Sequence, residues 1–219
     1  MNKDRLPRLC QLLKEEDCDA YFVTSPANVR YLSGYTGDEA YLLAAQGQLW
    51  LITDFRYREL AEREALDCKV CMHRNSDPPL AQLVRDYCRE LGVKRLMFEK
   101  QYITFGRYTE VKQALDADVD FIPGGGLVEK LRFIKDAGEI ACLRAACAAT
   151  DRVFTRLCEY IRPGVTEKDI AREMAYMIDQ ENCDNSFPLI IASGVNGSLP
   201  HAVPQACKAV EKGELITMD

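Results

Sequence analysis

Short apolar runs alternate with helical patterns of apolar residues along the first half of the chain. Six of the runs have the length and the β-branched, aromatic and aliphatic composition of strands. They are AYFVTS, AYLLAA, LWLITDF, CKVCMH, RLMFEK and VDFIPG, at residues 20–25, 40–45, 49–55, 68–73, 95–100 and 119–124. The second and third runs are separated by QGQ, which predicts a turn, and helical spacing occurs at residues 6–13, 56–66, 77–92 and 104–115. This alternation predicts an α/β domain with a mixed sheet.

The pattern changes after PGGG at residues 123–126, the strongest breaker of regular structure in the chain. We therefore predict one domain at residues 1–124 and a second at residues 125–219. In the second, Asp136 and Glu139 have the spacing of a capping box, and a long amphipathic helix is predicted to follow and to end at RPG. Its apolar positions are Ile140, Leu143, Cys147, Phe154, Leu157 and Ile161.

A second helix and two strands are predicted in the remaining sequence. Thr166 and Asp169 have capping positions, and apolar residues with helical spacing continue to about Asn182. The runs FPLIIAS (187–193) and ELITMD (214–219) are typical of strands. The loop between them is rich in Gly, Pro and Asn.

Composition and charge limit the functions that this chain can have. Its 219 residues are 47% hydrophobic, which is enough to fill a core, and carry a net charge of −6 with an isoelectric point of about 5.2. The basic residues are scattered, which argues against nucleic acid or an anionic membrane surface as a partner. The sequence has no apolar stretch of membrane-spanning length, and its start, MNKDRLPRLC, has no apolar signal core. We therefore expect a cytoplasmic protein.

Ten cysteines are present, and several occupy apolar positions of the predicted helices: Cys10, Cys88, Cys142 and Cys158. We interpret them as small buried residues in a reducing compartment, because proteins there rarely form disulfides. The one C-x-x-C pair lies in the strand-like run at residues 68–73, where its odd spacing points the thiols to opposite faces. A structural role is favoured over a zinc site, which would need a second pair.

Two histidines occur in the chain, His73 and His201. His201 lies between Pro200 and Pro204, whose fixed φ angles restrict the segment. A histidine held stiffly beside a sheet suits hydrogen-bond donation or acid–base catalysis, because imidazole exchanges protons near neutral pH. The alternative is a loop histidine satisfied by the backbone. His73 ends a strand beside the polar sequence RNSD, and we interpret it as solvated surface.

Several segments in combination resemble one known family. SFPLIIASGVNGSLPHAVP followed by VEKGELITMD closely resembles the start of the active-site region of pita-bread metallopeptidases of the Xaa-Pro aminopeptidase and prolidase type. VTSPANVRYLSGYTGDEAYLL with TDFRYRELA resembles their creatinase-type N-terminal domain, and LRFIKDAGEIACLRAA resembles the joining helix. The resemblance runs from about Tyr21 to Asp219. It implies a creatinase-like N-terminal domain followed by the first half of an α+β pita-bread catalytic domain.

The resemblance also implies a metal centre and roles for two residues. In that family two Asp, one His and two Glu hold two divalent metal ions, Mn, Co or Zn, that share a bridging hydroxide. Asp219 matches the first of these ligands, and hard divalent ions favour carboxylate oxygens. His201 matches a histidine that is no ligand but contacts the scissile region of the substrate or the tetrahedral intermediate. Without the resemblance, Asp219 would be interpreted as a frayed, solvated terminal acid.

The remaining ligands are expected to follow Asp219, since one carboxylate cannot chelate a metal pair. We therefore expect that the 219-residue chain is truncated within the catalytic domain, binds no metal pair alone and is not catalytically competent. The protein from which it comes is expected to be a metal-dependent exopeptidase acting on peptides with proline in the second position. The sequence does not separate an Xaa-Pro aminopeptidase from an Xaa-Pro dipeptidase, and the family commonly forms homodimers.

Two other functions stay open. Creatinase resembles these proteins and hydrolyses a guanidino compound without metal, and some pita-bread domains that lack metal ligands bind peptides or proteins without catalysis. In the first domain, Arg56, Tyr57 or the loop SGYTGDE could border the entrance to a substrate-binding site. A surface salt bridge for Arg56 and core packing for Tyr57 are favoured, and Trp50 is predicted to lie in the core.

Overall fold

The computed structural model describes residues 4–73 and 79–219, and the chain divides into two compact units, Met1–Ile134 and Lys135–Asp219. Each unit has its own hydrophobic core. Within the described ranges, no helix combines the length and the apolar character needed to cross a membrane.

One six-stranded sheet forms the centre of the first unit. Its strands are β1 (Ala20–Val23), β2 (Ala40–Ala45), β3 (Gln48–Asp54), β4 (Lys69–His73), β5 (Arg95–Glu99) and β6 (Asp120–Gly124). Their order across the sheet is β4-β3-β2-β1-β5-β6, and only β2 is antiparallel to its neighbours. The carboxyl ends of the other five strands therefore meet at one edge. The mixed sheet predicted from the sequence is confirmed.

A two-residue turn joins β2 to β3. Its residues, Gln46 and Gly47, have positive φ angles of 49° and 73°. Positive φ at both positions is the geometry of a type I′ hairpin turn, which matches the twist of paired strands. The turn predicted at QGQ is confirmed.

The described residues of this unit form six α-helices: α1 (Arg5–Glu15), α2 (Pro26–Ser33), α3 (Arg58–Glu64), α4 (Leu80–Glu90), α5 (Phe105–Ala114) and α6 (Leu127–Phe133). A short 3₁₀ turn, Phe55–Tyr57, precedes α3. The helices predicted at 6–13, 56–66, 77–92 and 104–115 correspond to α1, α3, α4 and α5, although residues 77–78 lie outside the described residues. Sequence periodicity missed α2 and α6, because seven or eight residues give too few turns for an apolar stripe to recur.

Helix α6 belongs to the first unit and moves the end of that unit beyond the PGGG sequence. Leu127 and Leu131 of α6 lie in the core of the first unit, and their side chains are 1% and 3% exposed. The division between the units accordingly falls after Ile134, whereas the sequence predicted a boundary after Gly124. The domain bounds drawn from the sequence remain a prediction.

The sheet is buried on both faces, which explains why its strands read as nearly continuous apolar runs. Side chains alternate along β1, so that Tyr21 and Val23 lie in one core cluster and Ala20 and Phe22 in the other. Trp50 of β3, 4% exposed, packs in the second cluster, as the sequence predicted. The salt bridge predicted for Arg56 is also present, with Nε 2.8 Å from Asp54 Oδ1.

A buried carboxylate lies at the carboxyl edge of the sheet. Glu99, at the end of β5, is 1% exposed. Its Oε2 accepts hydrogen bonds from the backbone N–H groups of Thr24 and Ser25, both at 2.6 Å, and its Oε1 accepts one from Asn28 Nδ2 at 2.6 Å. Desolvation raises the pKa of Glu99 above its usual range. This carboxylate therefore fixes the connection from β1 to α2.

His73 is not solvated surface, so that prediction was wrong. The side chain ends β4, is 7% exposed, and meets the ring of Tyr41 edge-on at a centroid distance of 6.1 Å. Arg107 lies above the same tyrosine ring, 5.3 Å from its centroid. Desolvation, followed by the nearby Arg107 charge, lowers the pKa of His73. A strand pattern cannot show that a neighbouring helix covers the end of the strand.

The second unit contains two helices, α7 (Ala137–Tyr160) and α8 (Glu167–Gln180), and two short strands, β7 (Ile191–Ser193) and β8 (Ile216–Met218). Asp136 caps α7 with the predicted capping box, its carboxylate accepting from the Glu139 N–H at 2.9 Å. Both predicted helices are confirmed, and the predicted strands form over only three residues each.

The apolar stripe of α7 is only partly buried. Leu157 is fully buried and packs against Ile170 of α8 and Ile191 of β7, whereas Leu143 and Phe154 are 53% and 50% exposed. For Leu143 the reason is length: α8 has 14 residues and α7 has 24, and the chain just after α8 meets α7 at Arg152, where Glu181 pairs with it. Phe154 lies beside that meeting point, so helix length does not explain its exposure. An apolar period predicts which face of a helix is apolar but not how far its partner extends.

The cysteine predictions hold in part. All ten cysteines are free thiols, and Cys88 is buried. Cys10 is half-buried, and Cys142 and Cys158 of α7 are exposed, so the burial predicted for these two was wrong.

Candidate active site

The two residues singled out by the sequence line one pocket of the second unit. His201 and Asp219 both contribute to the wall of a cavity of about 790 Å³. They come from different segments, a loop and the end of a strand. The fold thus places two residues that are separated along the sequence on the wall of the same pocket.

Asp219 continues the antiparallel pairing of β7 with β8. Its N–H donates to the Ile190 carbonyl at 2.9 Å, and the Ile190 N–H donates to its carbonyl at 2.8 Å. Ile216 and Met218 pack against the core of the second unit, so the alternation of a strand turns Thr217 and Asp219 to the opposite face. The backbone of Asp219 is therefore ordered by the sheet, although its side chain is exposed.

His201 lies on a loop that side-chain packing holds weakly. The loop begins with a 3₁₀ turn at Gly194–Ser198 and continues past His201, whose side chain is exposed. Within residues 194–205, all of which the structure describes, Ala202 is the only buried residue, at 5% exposure. Leu199 and Val203 are 57% and 73% exposed. Apolar burial therefore contributes little to fixing the imidazole.

A buried carboxylate that the sequence analysis missed holds this loop. Glu167, the first residue of α8, is completely buried. Its Oε1 accepts from the N–H and the hydroxyl of Ser193 at 2.6 and 3.2 Å. Its Oε2 accepts from Asn196 Nδ2 at 2.7 Å and from the Gln205 N–H at 3.1 Å. The sequence signal was the capping pattern at Thr166, but such a pattern does not show that the next side chain turns inward.

A second carboxylate approaches the start of the same loop. Glu214 accepts from Lys208 Nζ at 2.7 Å and from the Glu211 N–H at 2.9 Å. The pair raises the pKa of Lys208 and lowers that of Glu214, mainly through the hydrogen bond between them. Gly194 has a φ of 56°, and a Cβ there would lie 2.2 Å from Glu214 Oε1. A side chain at this position would meet both backbone strain and a clash.

The rest of the pocket wall combines apolar surface with positive charge. Its apolar part includes Phe187, Pro200 and Pro204. Lys168 and Arg172, one turn apart on α8, supply the charge, and Arg172 also contacts Asp169 at 3.3 Å. The pocket can thus receive an apolar group and an anionic group together.

Asp219 carries a carboxylate, and carboxylate oxygens are groups that hard divalent cations bind. Across residues 4–73 and 79–219, no group of three or more His, Cys, Asp and Glu side chains is arranged to hold a metal ion. The described residues therefore fit a metal as a contributor of one ligand and do not form a complete metal centre.

Comparison with protein-family models gives two matches. Residues 5–134 match the creatinase/prolidase N-terminal domain, and residues 141–219 match metallopeptidase family M24. The two matches follow one another along the chain in the order implied by the sequence resemblance.

Known proteins similar to this chain carry peptidase names. An uncharacterized peptidase of Bacillus subtilis, YqhT, is 34% identical over 216 residues, which are 98% of this chain and 60% of the relative. The Xaa-Pro dipeptidase from Bacillus anthracis has a TM-score of 0.91 and 33% identity, over 99% of this chain and 59% of that structure. The X-Pro aminopeptidase from Thermotoga maritima has a TM-score of 0.84 and 28% identity, over 97% and 60%. This chain spans about 60% of the length of the curated relatives it matches.

Proposed function

Because the chain belongs to the creatinase/prolidase N-terminal domain family and continues into a match to metallopeptidase family M24, we propose that the protein is a metal-dependent exopeptidase. Its substrates are peptides with proline in the second position, either longer peptides or Xaa-Pro dipeptides. The observation that carries the proposal is the placement of His201 and Asp219 on the wall of one pocket.

In this proposal His201 donates a hydrogen bond to the oxygen of the scissile amide. Hydrolysis of an amide moves negative charge onto that oxygen, and a donor already in place stabilises the charge more than it stabilises the substrate. The exposed position of His201 on the pocket wall supports this role, because a substrate can reach the imidazole.

The pocket wall supports a proline-containing substrate. An Xaa-Pro bond is a tertiary amide and has no N–H to offer, so the proline ring must be recognised by shape and apolar contact. Phe187, Pro200 and Pro204 supply apolar surface beside His201. Lys168 and Arg172 would attract the free carboxylate of a dipeptide.

Asp219 is proposed as one ligand of a divalent metal centre, and the described residues contain no group of three or more His, Cys, Asp and Glu side chains that would hold the metal by themselves. A bound metal would supply Lewis-acid activation of water at neutral pH. The contribution of this chain is a carboxylate whose backbone is fixed by pairing with Ile190.

The test is an assay of the complete gene product and of the 219-residue chain with Mn, Co or Zn. The substrates are an Xaa-Pro dipeptide and an Xaa-Pro-Xaa tripeptide amide, whose relative rates separate dipeptidase from aminopeptidase. We expect metal-dependent hydrolysis by the complete product and a loss of about 10² to 10³ in kcat for His201→Ala. Hydrolysis of neither substrate with any of the metals would contradict the proposal.

Two paired variants test the assignments within the pocket. Asp219→Asn is expected to lower the amount of bound metal, measured by elemental analysis of the complete product. Asp151→Asn, at an exposed position of α7 that is not part of the pocket wall, is the control and is expected to leave bound metal unchanged. Lys168→Ala with Arg172→Ala is expected to raise KM for the dipeptide roughly tenfold and to leave the tripeptide amide unchanged, because only the dipeptide offers a carboxylate there. We extend the proposal to a homodimer, which sedimentation equilibrium of the complete product would test, and to a cytoplasmic location, which cell fractionation would test.

A further inference from the structure

The loop that carries His201 is tied at both ends to one buried side chain. Asn196 lies before His201 and Gln205 after it, and both donate to Glu167 Oε2, at 2.7 and 3.1 Å. Ser193, the last residue of β7, donates to Glu167 Oε1 at 2.6 Å. A single carboxylate thus joins the strand end, the start of the loop and its far end.

The backbone of Glu167 is itself fixed. Its N–H donates to the Lys208 carbonyl at 3.0 Å, and the next N–H, of Lys168, donates to the Gln205 carbonyl at 3.2 Å. The side chain leaves the first turn of α8, where the helix dipole favours a negative charge. Glu167 therefore projects from a rigid element into a segment that has little packing of its own.

We propose that Glu167 is a positioning residue for His201: it holds the loop 194–205 so that the imidazole faces the pocket. This inference deepens the proposed function and, in its catalytic consequence, rests on it. In this loop only Ala202 is buried, whereas Glu167 accepts hydrogen bonds from Asn196 and Gln205 of the loop and two from Ser193, just before it. Hydrogen bonds to a buried charged group are strong enough to fix a loop that apolar burial does not.

The positions of the four donors make Glu167→Gln an informative variant. Two donors point at each carboxylate oxygen. A glutamine at this position replaces one of the oxygens by an NH₂ group, which donates and does not accept, so donors are left without an acceptor whichever way the amide is turned. The matched control is Glu181→Gln, which removes the charge of an ion pair with Arg152, 2.6 Å away, in which the glutamate side chain is 18% exposed. Both substitutions keep the shape of the side chain.

The two histidines of the chain allow a comparison within one NMR spectrum. His201 lies in the second unit and reports on the loop, and His73 lies in the first unit and serves as the internal reference. With histidine labelled selectively, Glu167→Gln is expected to shift or broaden the His201 imidazole signal of the 219-residue chain and to leave that of His73 unchanged. Glu181→Gln is expected to leave both signals unchanged.

Amide hydrogen exchange gives a second measurement on the same samples. We expect exchange at the Gln205 amide to accelerate about tenfold or more in Glu167→Gln and to stay unchanged in Glu181→Gln. Asn196→Ala, at a half-buried position, removes the hydrogen bond to Glu167 Oε2 and a longer one, at 3.5 Å, from Gln205 Nε2. This variant serves as the test if Glu167→Gln does not fold. A His201 signal that is unchanged in every folded variant of Glu167 and Asn196 overturns the proposal.

In the peptidase assay of the complete gene product, Glu167→Gln is expected to lower kcat at least tenfold and to change KM less. A general loss of structure would instead accelerate amide exchange along α7 and α8 as well as at Gln205, whereas loss of the Glu167 tether accelerates exchange in the loop alone. If wild-type complete product hydrolyses no Xaa-Pro peptide, the proposed function fails, whereas the His201 signals of the 219-residue chain still decide whether Glu167 holds the loop.

Discussion

The two units each contain a buried glutamate that accepts hydrogen bonds from the backbone, but they use it differently. In the first unit, Glu99 lies at the end of a strand buried on both faces, and its donors all come from residues 24–28. In the second, Glu167 collects donors from three separate positions, Ser193, Asn196 and Gln205, around an exposed loop. Glu99 thus adds hydrogen bonds to a sheet edge that apolar packing already holds, whereas the hydrogen bonds of Glu167 hold a loop that has little apolar packing of its own.

The largest effect is expected from the small core of the second unit. Leu157→Ala removes a fully buried side chain and should lower the free energy of unfolding of this unit by about 2 to 5 kcal/mol. Leu143→Ala, on the same helix but 53% exposed, should cost well under about 1 kcal/mol. Chemical denaturation followed by hydrogen exchange in α8 measures both. Equal effects of the two variants would contradict the partial burial of α7.

Glu167→Gln should produce the next largest effect. Because each carboxylate oxygen faces two donors, the amide leaves buried donors without acceptors, at a cost of about 1 to 3 kcal/mol to the second unit. Hydrogen exchange of the Ser193 and Gln205 amides measures this loss. If Glu181→Gln has the same effect, the cost comes from lost charge and not from the loop.

Glu99→Gln should lower the free energy of unfolding of the first unit by less than Glu167→Gln lowers that of the second. The backbone N–H donors of Thr24 and Ser25 both face Oε2, and a glutamine oxygen can keep them, while the amide group opposes only Asn28 Nδ2. We expect a loss of about 1 kcal/mol. The fluorescence of Trp50, the one tryptophan of the chain, follows unfolding of the first unit. A larger loss than for Glu167→Gln would refute this account.

The smallest expected effect is a pH dependence of the first unit. Desolvation raises the pKa of Glu99 in the folded state, so folding favours its protonated form. This contribution is fully present below the ordinary glutamate pKa and is lost as the pH rises through the raised value. The difference in unfolding free energy between wild type and Glu99→Gln should therefore fall with rising pH, as Trp50 fluorescence would show. A difference that increases with pH would contradict the assignment.

Much of the fold follows from local sequence signals. Apolar runs and periodic helices gave the order of the main elements in both units, and the capping box at Asp136 gave the start of α7. The missed helices α2 and α6 are short. The burial of His73 depends on Tyr41, on another strand, and on Arg107, on a helix. Contacts of this kind are set by the tertiary structure and leave no periodic signal.

The candidate site was predictable only in part. His201 stood out because it is flanked by prolines, and Asp219 because of the family resemblance; the structure places both on one pocket. Their roles in catalysis and metal binding remain proposals. Glu167 could not be found from spacing, because its donors lie 26 to 38 residues further along the chain. A buried polar residue of this kind is recognised only when its partners are seen.

The antiparallel placement of β2 has a consequence for the order in which the first unit folds. The turn at Gln46 and Gly47 lets β2 and β3 pair with almost no loop to close, whereas β5 must reach β1 across more than seventy residues. Local pairings form faster than distant ones. The β2–β3 hairpin is therefore expected to form early during refolding, before β5 pairs with β1. In pulsed hydrogen labelling, the amides of Leu42 and Leu51 should accordingly become protected before that of Met97.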